Sequence, residues 1–191
     1  MRIGLTGGIG AGKSAVAKLF EEFGALVVDT DLLAREAAAP GTPGLAEIAR
    51  VWPGTVRGGA LDRAALAAIV FADPSARARL NRILHPEIRR MAFAREAAAR
   101  PGQPIVHVVP LLFETGYNAL VDTTVLVTSP QVQRIARSRA RDGLGESAAR
   151  ARIAAQIAPE GARRRGGPLR ERSCRRIGRV LALPSVWKPH L

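Results

Sequence analysis

Gly7-Gly8-Ile9-Gly10-Ala11-Gly12-Lys13-Ser14 has the composition of an anion cradle. It fits the pattern G-x-x-x-x-G-K-[ST] of phosphate-binding loops. Glycines allow positive φ and close approach of the backbone to a phosphate. Successive N–H groups then form a concavity for the anion, and a following helix adds the positive end of its dipole. Lys13 can reach terminal phosphates, and the Ser14 hydroxyl can bind Mg²⁺. Two further sets of residues could act on a phosphoryl group. Asp29 and Asp31 are two apart, with Ala25–Val28 before them. One such carboxylate can take a proton from a hydroxyl nucleophile or help hold Mg²⁺, and one could instead cap the helix that follows. Arg134, Arg137 and Arg141 are spaced three and four apart, which puts them on one helical face. Such a face can stabilise charge on a transferring phosphoryl group, or can simply be solvated.

These residues need elements that hold them. Residues 2–6 are short and mainly apolar, as in a buried strand, and residues 13–23 place Val16, Leu19, Phe20 and Phe23 on one helical face. The glycine loop therefore lies between a strand and a helix, which is the context the pattern requires. Ala25–Val28 reads as a second buried strand, with both aspartates at its carboxyl end, where open α/β sheets bind ligands. Pro40–Gly44 reads as a turn-rich break. Helices follow from Leu61 and from about Ser75, and His85, just before Pro86, is biased away from helix and can kink the second of them. Residues 105–112 form a central strand that Pro110 should end, and His107 on it reads as a core residue. Residues 121–127 form another strand. The helix carrying the arginines follows, and a last helix spans Glu146–Gln156.

The chain has 191 residues, 47% of them hydrophobic, which suits one domain with a real core or one domain plus an insertion. No apolar run is long enough for a membrane span, and no signal peptide is visible at the N-terminus. The single cysteine, Cys174, excludes an internal disulfide. The expected compartment is the cytoplasm. A net charge of +13 would ordinarily suggest a polyanion partner. Its distribution argues otherwise: residues 1–156 carry +6 and the last 35 residues carry +7.

With these residues in view, the chain resembles the dephospho-CoA kinase family. Thr6–Ser14 (TGGIGAGKS) and Val28–Glu36 (VDTDLLARE) carry the resemblance, with L-D-R…V-F from Leu61, L-H-P at Leu84–Pro86 and V-V-P-L-L-F-E ending at Glu114. The resemblance implies an α/β fold of the three-layer P-loop kinase type, a parallel sheet flanked by helices with a helical insertion and a lid. It implies transfer of the ATP γ-phosphoryl group to the ribose 3′-hydroxyl of dephospho-CoA, with Mg²⁺. The loop residues Gly8, Ile9, Gly10, Ala11, Gly12, Lys13, Ser14 and Ala15 would bind ATP, with Ala15 standing where the family commonly has Thr. Asp31 would be the catalytic base, acting with Lys13, and Arg137 and Arg141 would belong to the lid. Asp29, Asp31, Leu61, Arg63, His85, Pro110 and Leu111 would contact the acceptor. The strand at 105–112 lacks the aspartate that many P-loop proteins carry there, so Mg²⁺ would rely on Ser14, phosphates, water and Asp29 or Asp31. The implied layout is a P-loop core at 1–60, an acceptor-binding insertion at 61–99, core strands at 100–130 and a lid with its following helix at 131–156. A monomer is expected, with no specific nucleic-acid partner. Another small-metabolite kinase, such as a nucleoside monophosphate kinase, is the alternative enzyme. A polyanion-binding protein acting through the tail is the alternative outside catalysis.

The resemblance read from the sequence ends at Gln156. The family continues with an arginine-bearing segment, then A-D-x-V-I-x-N and a closing helix, and none of these is visible in residues 157–191. A reading-frame shift near Glu160 would account for this, the alternative being a lineage-specific disordered basic extension. Codons for Gly166–Glu171, read one base downstream, permit Ala-Asp-His-Phe-Val-Asn, and a shifted GC-rich gene tends to yield arginine. The basic tail is therefore expected to be poorly ordered beyond about residue 158, and the chain could then bind nucleotide without catalysing transfer.

Overall fold

The computed structural model describes residues 1–143, 145–154, 170–174 and 178–182, the last two segments as backbone. It divides into two compact units, Met1–Val28 with Ala99–Leu191, and Asp29–Ala98.

The first unit is built on a sheet. Strand β1 (Arg2–Gly7) pairs in parallel with β5 (Ile105–Val108) on one side and β6 (Thr123–Thr128) on the other. Strand β2 (Leu26–Asp29) lies beyond β5, so the order is β2-β5-β1-β6. Strands of a parallel sheet are covered on both faces, which is why they read as apolar runs rather than alternations. Ile3, Leu5, Val106, Val108, Val125 and Val127 are all buried, and with Val16 and Ala17 of helix α1 (Lys13–Glu22) they form the main cluster. Each such side chain contributes about 1.5–3 kcal/mol on leaving water, so the strand that launches the glycine loop is among the best-anchored parts of the chain. The central strand stops at Val108, sooner than the apolar run suggests. Leu112 and Phe113, which continue that run, pack instead in a second cluster with Tyr117, beside the short 3₁₀ turn Tyr117–Leu120. His107 is buried, 2.8 Å from the Tyr117 hydroxyl, as a core residue. Helices α6 (Gln131–Asp142) and α7 (Glu146–Ala154) meet through Ile135, Ala149 and Ile153.

Strands β7 (Arg170–Cys174) and β8 (Gly178–Ala182) form an antiparallel pair, and β8 adds to β6 with Val127 opposite Val180. Val180 is β-branched and suits a strand, and β8 takes the side of β6 that β1 leaves open. These ten residues are the described part of the tail. The expectation of little order beyond residue 158, and the frame shift near Glu160, otherwise fall outside the described residues.

The second unit is helical. Helix α2 (Thr30–Ala37) leads to α3 (Pro43–Val51), a 3₁₀ turn (Pro53–Thr55), a small hairpin of β3 (Val56–Arg57) and β4 (Ala60–Leu61), then α4 (Arg63–Ala72) and α5 (Pro74–Glu96). Its core is Ala38, Ile48 and Leu66, with Trp52, Leu61, Leu80, Ile83 and Leu84 around it. Three sequence expectations change here. The Pro40–Gly44 break ends in a helix: Thr42 accepts from the Leu45 N–H at 3.2 Å and Pro43 opens the first turn, an arrangement that favours helix. Gly44 is needed because a Cβ there would lie 2.2 Å from the Ala37 carbonyl oxygen. Second, Pro86 sits inside an unbroken α5, where packing of α2, α3 and α4 along the helix outweighs one lost hydrogen bond. Third, the helical unit begins at Asp29 rather than at residue 61. Helices α2 and α3 pack on α5, and Glu36 meets Arg95 at 2.6 Å.

Candidate active site

In the first unit the loop after β1 has the geometry its glycines suggest. Gly7, Gly10 and Gly12 take φ of 152°, 72° and 105°. The Lys13 ammonium donates to the carbonyls of Gly7 (2.6 Å) and Gly8 (3.3 Å), so it is held over the loop at the first turn of α1. Ser14 and Ala15 follow in that turn and are exposed, while Gly8, Ile9, Gly10 and Gly12 are half-buried and Ala11 is buried.

Helix α6 lies directly on this loop. Arg134 Nε donates to the Ile9 carbonyl at 2.9 Å, and an Arg137 amino group donates to the Gly10 carbonyl at 3.2 Å. The approach is close enough to require glycine: a Cβ on Gly10 would sit 2.5 Å from the Arg134 carbonyl oxygen, and φ is positive there as well. Arg137 therefore touches the loop, whereas Arg141, one turn on, is exposed. Arg134 is half-buried and makes the shorter of the two arginine bonds. Its place on the 134/137/141 face was visible in the spacing, but nothing there set it above Arg141. Lys13, Arg134 and Arg137 together surround the loop with fixed positive charge, an arrangement suited to an oligophosphate.

In the second unit the two aspartates divide their work. Asp29 caps α2, its Oδ1 accepting from the N–H groups of Asp31 (2.8 Å) and Leu32 (3.3 Å). The Asp31 carboxylate is not the cap and is exposed in the first turn. The open choice between capping and chemistry thus resolves for one of the pair. Arg63 is exposed and donates to the Arg35 carbonyl at 3.3 Å, near the end of α2. Leu61 is half-buried against the helical core, and His85 is half-buried on α5. Pro110 and Leu111 belong to the first unit, where the Pro110 carbonyl accepts from Thr6 Oγ1 at 3.3 Å and Leu111 is exposed.

Burial first, and then the charge of Arg89, push the His85 imidazole below its ordinary value of 6.5. The folded chain then resists protonation that the unfolded chain accepts. Above about pH 6.5 His85 has no effect on stability; as pH falls through that value toward the depressed one, stability is lost. Thermal melts of the wild type and His85→Gln at pH 7.5 and pH 5 should show the variant gaining relative stability at the acid pH.

A family model for dephospho-CoA kinase matches residues 1–167. The chain belongs to the dephospho-CoA kinase family. It is 52% identical over 160 residues to the dephospho-CoA kinase of Anaeromyxobacter dehalogenans, covering 81% of this chain and 75% of that one. It is 47% identical over 165 residues to that of Streptomyces avermitilis, covering 84% and 79%. Among solved structures, TT1252 from Thermus thermophilus superposes with a TM-score of 0.77 at 39% identity, covering 87% of this chain and 85% of that one. The dephospho-CoA kinase from Campylobacter jejuni, at 23% identity and a TM-score of 0.58, shares the fold.

The match extends the dephospho-CoA kinase likeness to residue 167, past Gln156, so the departure begins later than the sequence alone suggests. The family's Mg²⁺ fits what the loop offers. Among the described residues no group of three or more His, Cys, Asp or Glu side chains could hold a metal. A hard cation that keeps several waters and takes phosphate oxygens needs few protein ligands, and the exposed Ser14 hydroxyl in the first turn of α1 can be one. One carboxylate oxygen of Asp29 serves the α2 cap.

Proposed function

We propose that this chain transfers the γ-phosphoryl group of ATP to the 3′-hydroxyl of dephospho-CoA, giving coenzyme A. One observation carries the reading: the lysine-capped glycine loop, with two arginines laid on it, occurs in a chain of the dephospho-CoA kinase family. The loop N–H groups, from Gly8 to Ala15, and Lys13 hold the triphosphate. Mg²⁺ supplies neutralisation of phosphate charge, and Ser14 is its protein ligand. Arg137 stabilises charge developing on the transferring group, with Arg141 on the same helix face, and Arg134 keeps the helix seated on the loop. Asp31 accepts the proton of the attacking hydroxyl. Leu61, Arg63, His85, Pro110 and Leu111 contact the acceptor, and Asp29 sets the direction of α2.

Among the described residues no helix is long and apolar enough to cross a membrane. We infer a monomer that works in the cytoplasm on small molecules. The purified chain, incubated with Mg²⁺-ATP, should convert dephospho-CoA to coenzyme A and leave nucleoside monophosphates unchanged. Turnover of a monophosphate in preference to dephospho-CoA would overturn the assignment.

A further inference from the structure

Helix α5 carries six arginines, at 77, 79, 82, 89, 90 and 95. Five of them need no special account. Arg90 meets Glu87 and Arg95 meets Glu36, each at 2.6 Å, and Arg77, Arg79 and Arg82 are exposed to solvent. Arg89 is different. It is half-buried, and among the described residues it has no hydrogen bond or ion pair. A guanidinium has five donors and cannot shed its charge, so partial burial without a counter-charge is costly. One turn earlier lies His85, also half-buried, whose protonation Arg89 opposes. The imidazole therefore offers neutral polar atoms beside the guanidinium rather than a second charge. Arg82, at the outer end, completes an i, i+3, i+7 stripe about 10 Å long.

We propose that Arg89, with His85 beside it and Arg82 at the rim, forms an anion site on α5 that grips the diphosphate of the acceptor. This rests on the reading of the chain as a kinase acting on dephospho-CoA, whose diphosphate links the adenosine carrying the 3′-hydroxyl to the pantetheine arm. The planar fork of Arg89 suits paired phosphate oxygens, and His85 supplies one further contact. The anion gives Arg89 the partner it lacks among the described residues. The site thus selects an acceptor with a charged linker over a bare nucleoside.

The test is steady-state kinetics of the full chain with Mg²⁺-ATP, comparing wild type, Arg89→Ala, Arg89→Gln and Arg89→Lys. Loss of charge-assisted hydrogen bonds should raise KM for dephospho-CoA about tenfold to a hundredfold in the Ala and Gln variants, with Lys in between. KM for ATP should stay within about twofold, and the melting temperature should not fall, because among the described residues the arginine makes no internal bond. Calorimetric titration should show weaker dephospho-CoA binding in Arg89→Ala and unchanged adenosine binding. An unchanged KM for dephospho-CoA, or an equal loss toward adenosine, would overturn the proposal. If the wild type fails to phosphorylate dephospho-CoA, the functional reading fails by itself. The anion site is then judged by titrating inorganic pyrophosphate into chain saturated with Mg²⁺-ADP: binding lost in Arg89→Ala sustains it, and equal binding sinks it.

Discussion

Lys13→Met is expected to reduce kcat for phosphoryl transfer by about a hundredfold to a thousandfold while leaving the fold intact. The ammonium is held by two carbonyls of the loop it serves, 2.6 Å from that of Gly7 and 3.3 Å from that of Gly8. It is therefore positioned before any phosphate arrives, and little reorganisation is needed when charge moves onto the bridging oxygens. Methionine keeps the length and apolar stem of lysine and removes only the charge and its donors. The carbonyls that lose their donor lie on buried Gly7 and half-buried Gly8, so the variant should lose about 1–3 kcal/mol of stability while remaining folded. Arginine at the same place is expected to fail nearly as badly, since the loop wraps a compact ammonium and a planar fork would have to displace the backbone. Single-turnover rates at saturating ATP, with melting curves for each variant, check this. Near-normal turnover in Lys13→Met would mean that phosphate charge is met by Arg134 and Arg137 alone.

The parts of the chain that were legible in the sequence share one property: their local pattern and their tertiary setting agree. Ile3, Leu5 and the run 125–127 are apolar because a parallel strand is covered on both faces, and the glycine loop has its strand and helix on either side in the primary structure. Misreadings arose where a local signal has two meanings. Proline marks a break in general but opens a helix at Pro43, because Thr42 stands before it as cap. Pro86 lies inside α5, where tertiary packing decides. The extent of the helical unit, from Asp29, depends on contacts such as Glu36 with Arg95, 59 residues apart, which no local pattern encodes. The candidate site shows the same division. Spacing put Arg134, Arg137 and Arg141 on one face, yet only the packing of α6 on Gly10 reveals that the first two touch the loop. Likewise, the two aspartates look equivalent in sequence until the backbone N–H groups of Asp31 and Leu32 claim the Asp29 carboxylate.

That last distinction sets up a sharper test than either aspartate gives alone. Asp31→Asn is expected to lower kcat by about a hundredfold to ten-thousandfold, the range for loss of a positioned general base. Stability should change by only about 0.3–1 kcal/mol, because this carboxylate is exposed in the first turn of α2 and contributes chiefly through the helix dipole. KM for ATP should hold, since the base acts on the acceptor hydroxyl. Asp29→Asn is the control. Asparagine caps a helix about as well as aspartate, so the fold and the path of α2 survive, whereas Asp29→Ala should cost about 1 kcal/mol in stability. If Asp29 acts by directing α2, its Asn variant keeps most of its turnover and its Ala variant melts earlier. If instead Asp29→Asn loses as much activity as Asp31→Asn with an unchanged melting temperature, the base is Asp29 and the cap is incidental. The capping geometry favours Asp31: one Asp29 carboxylate oxygen is already committed to the backbone N–H groups that begin α2.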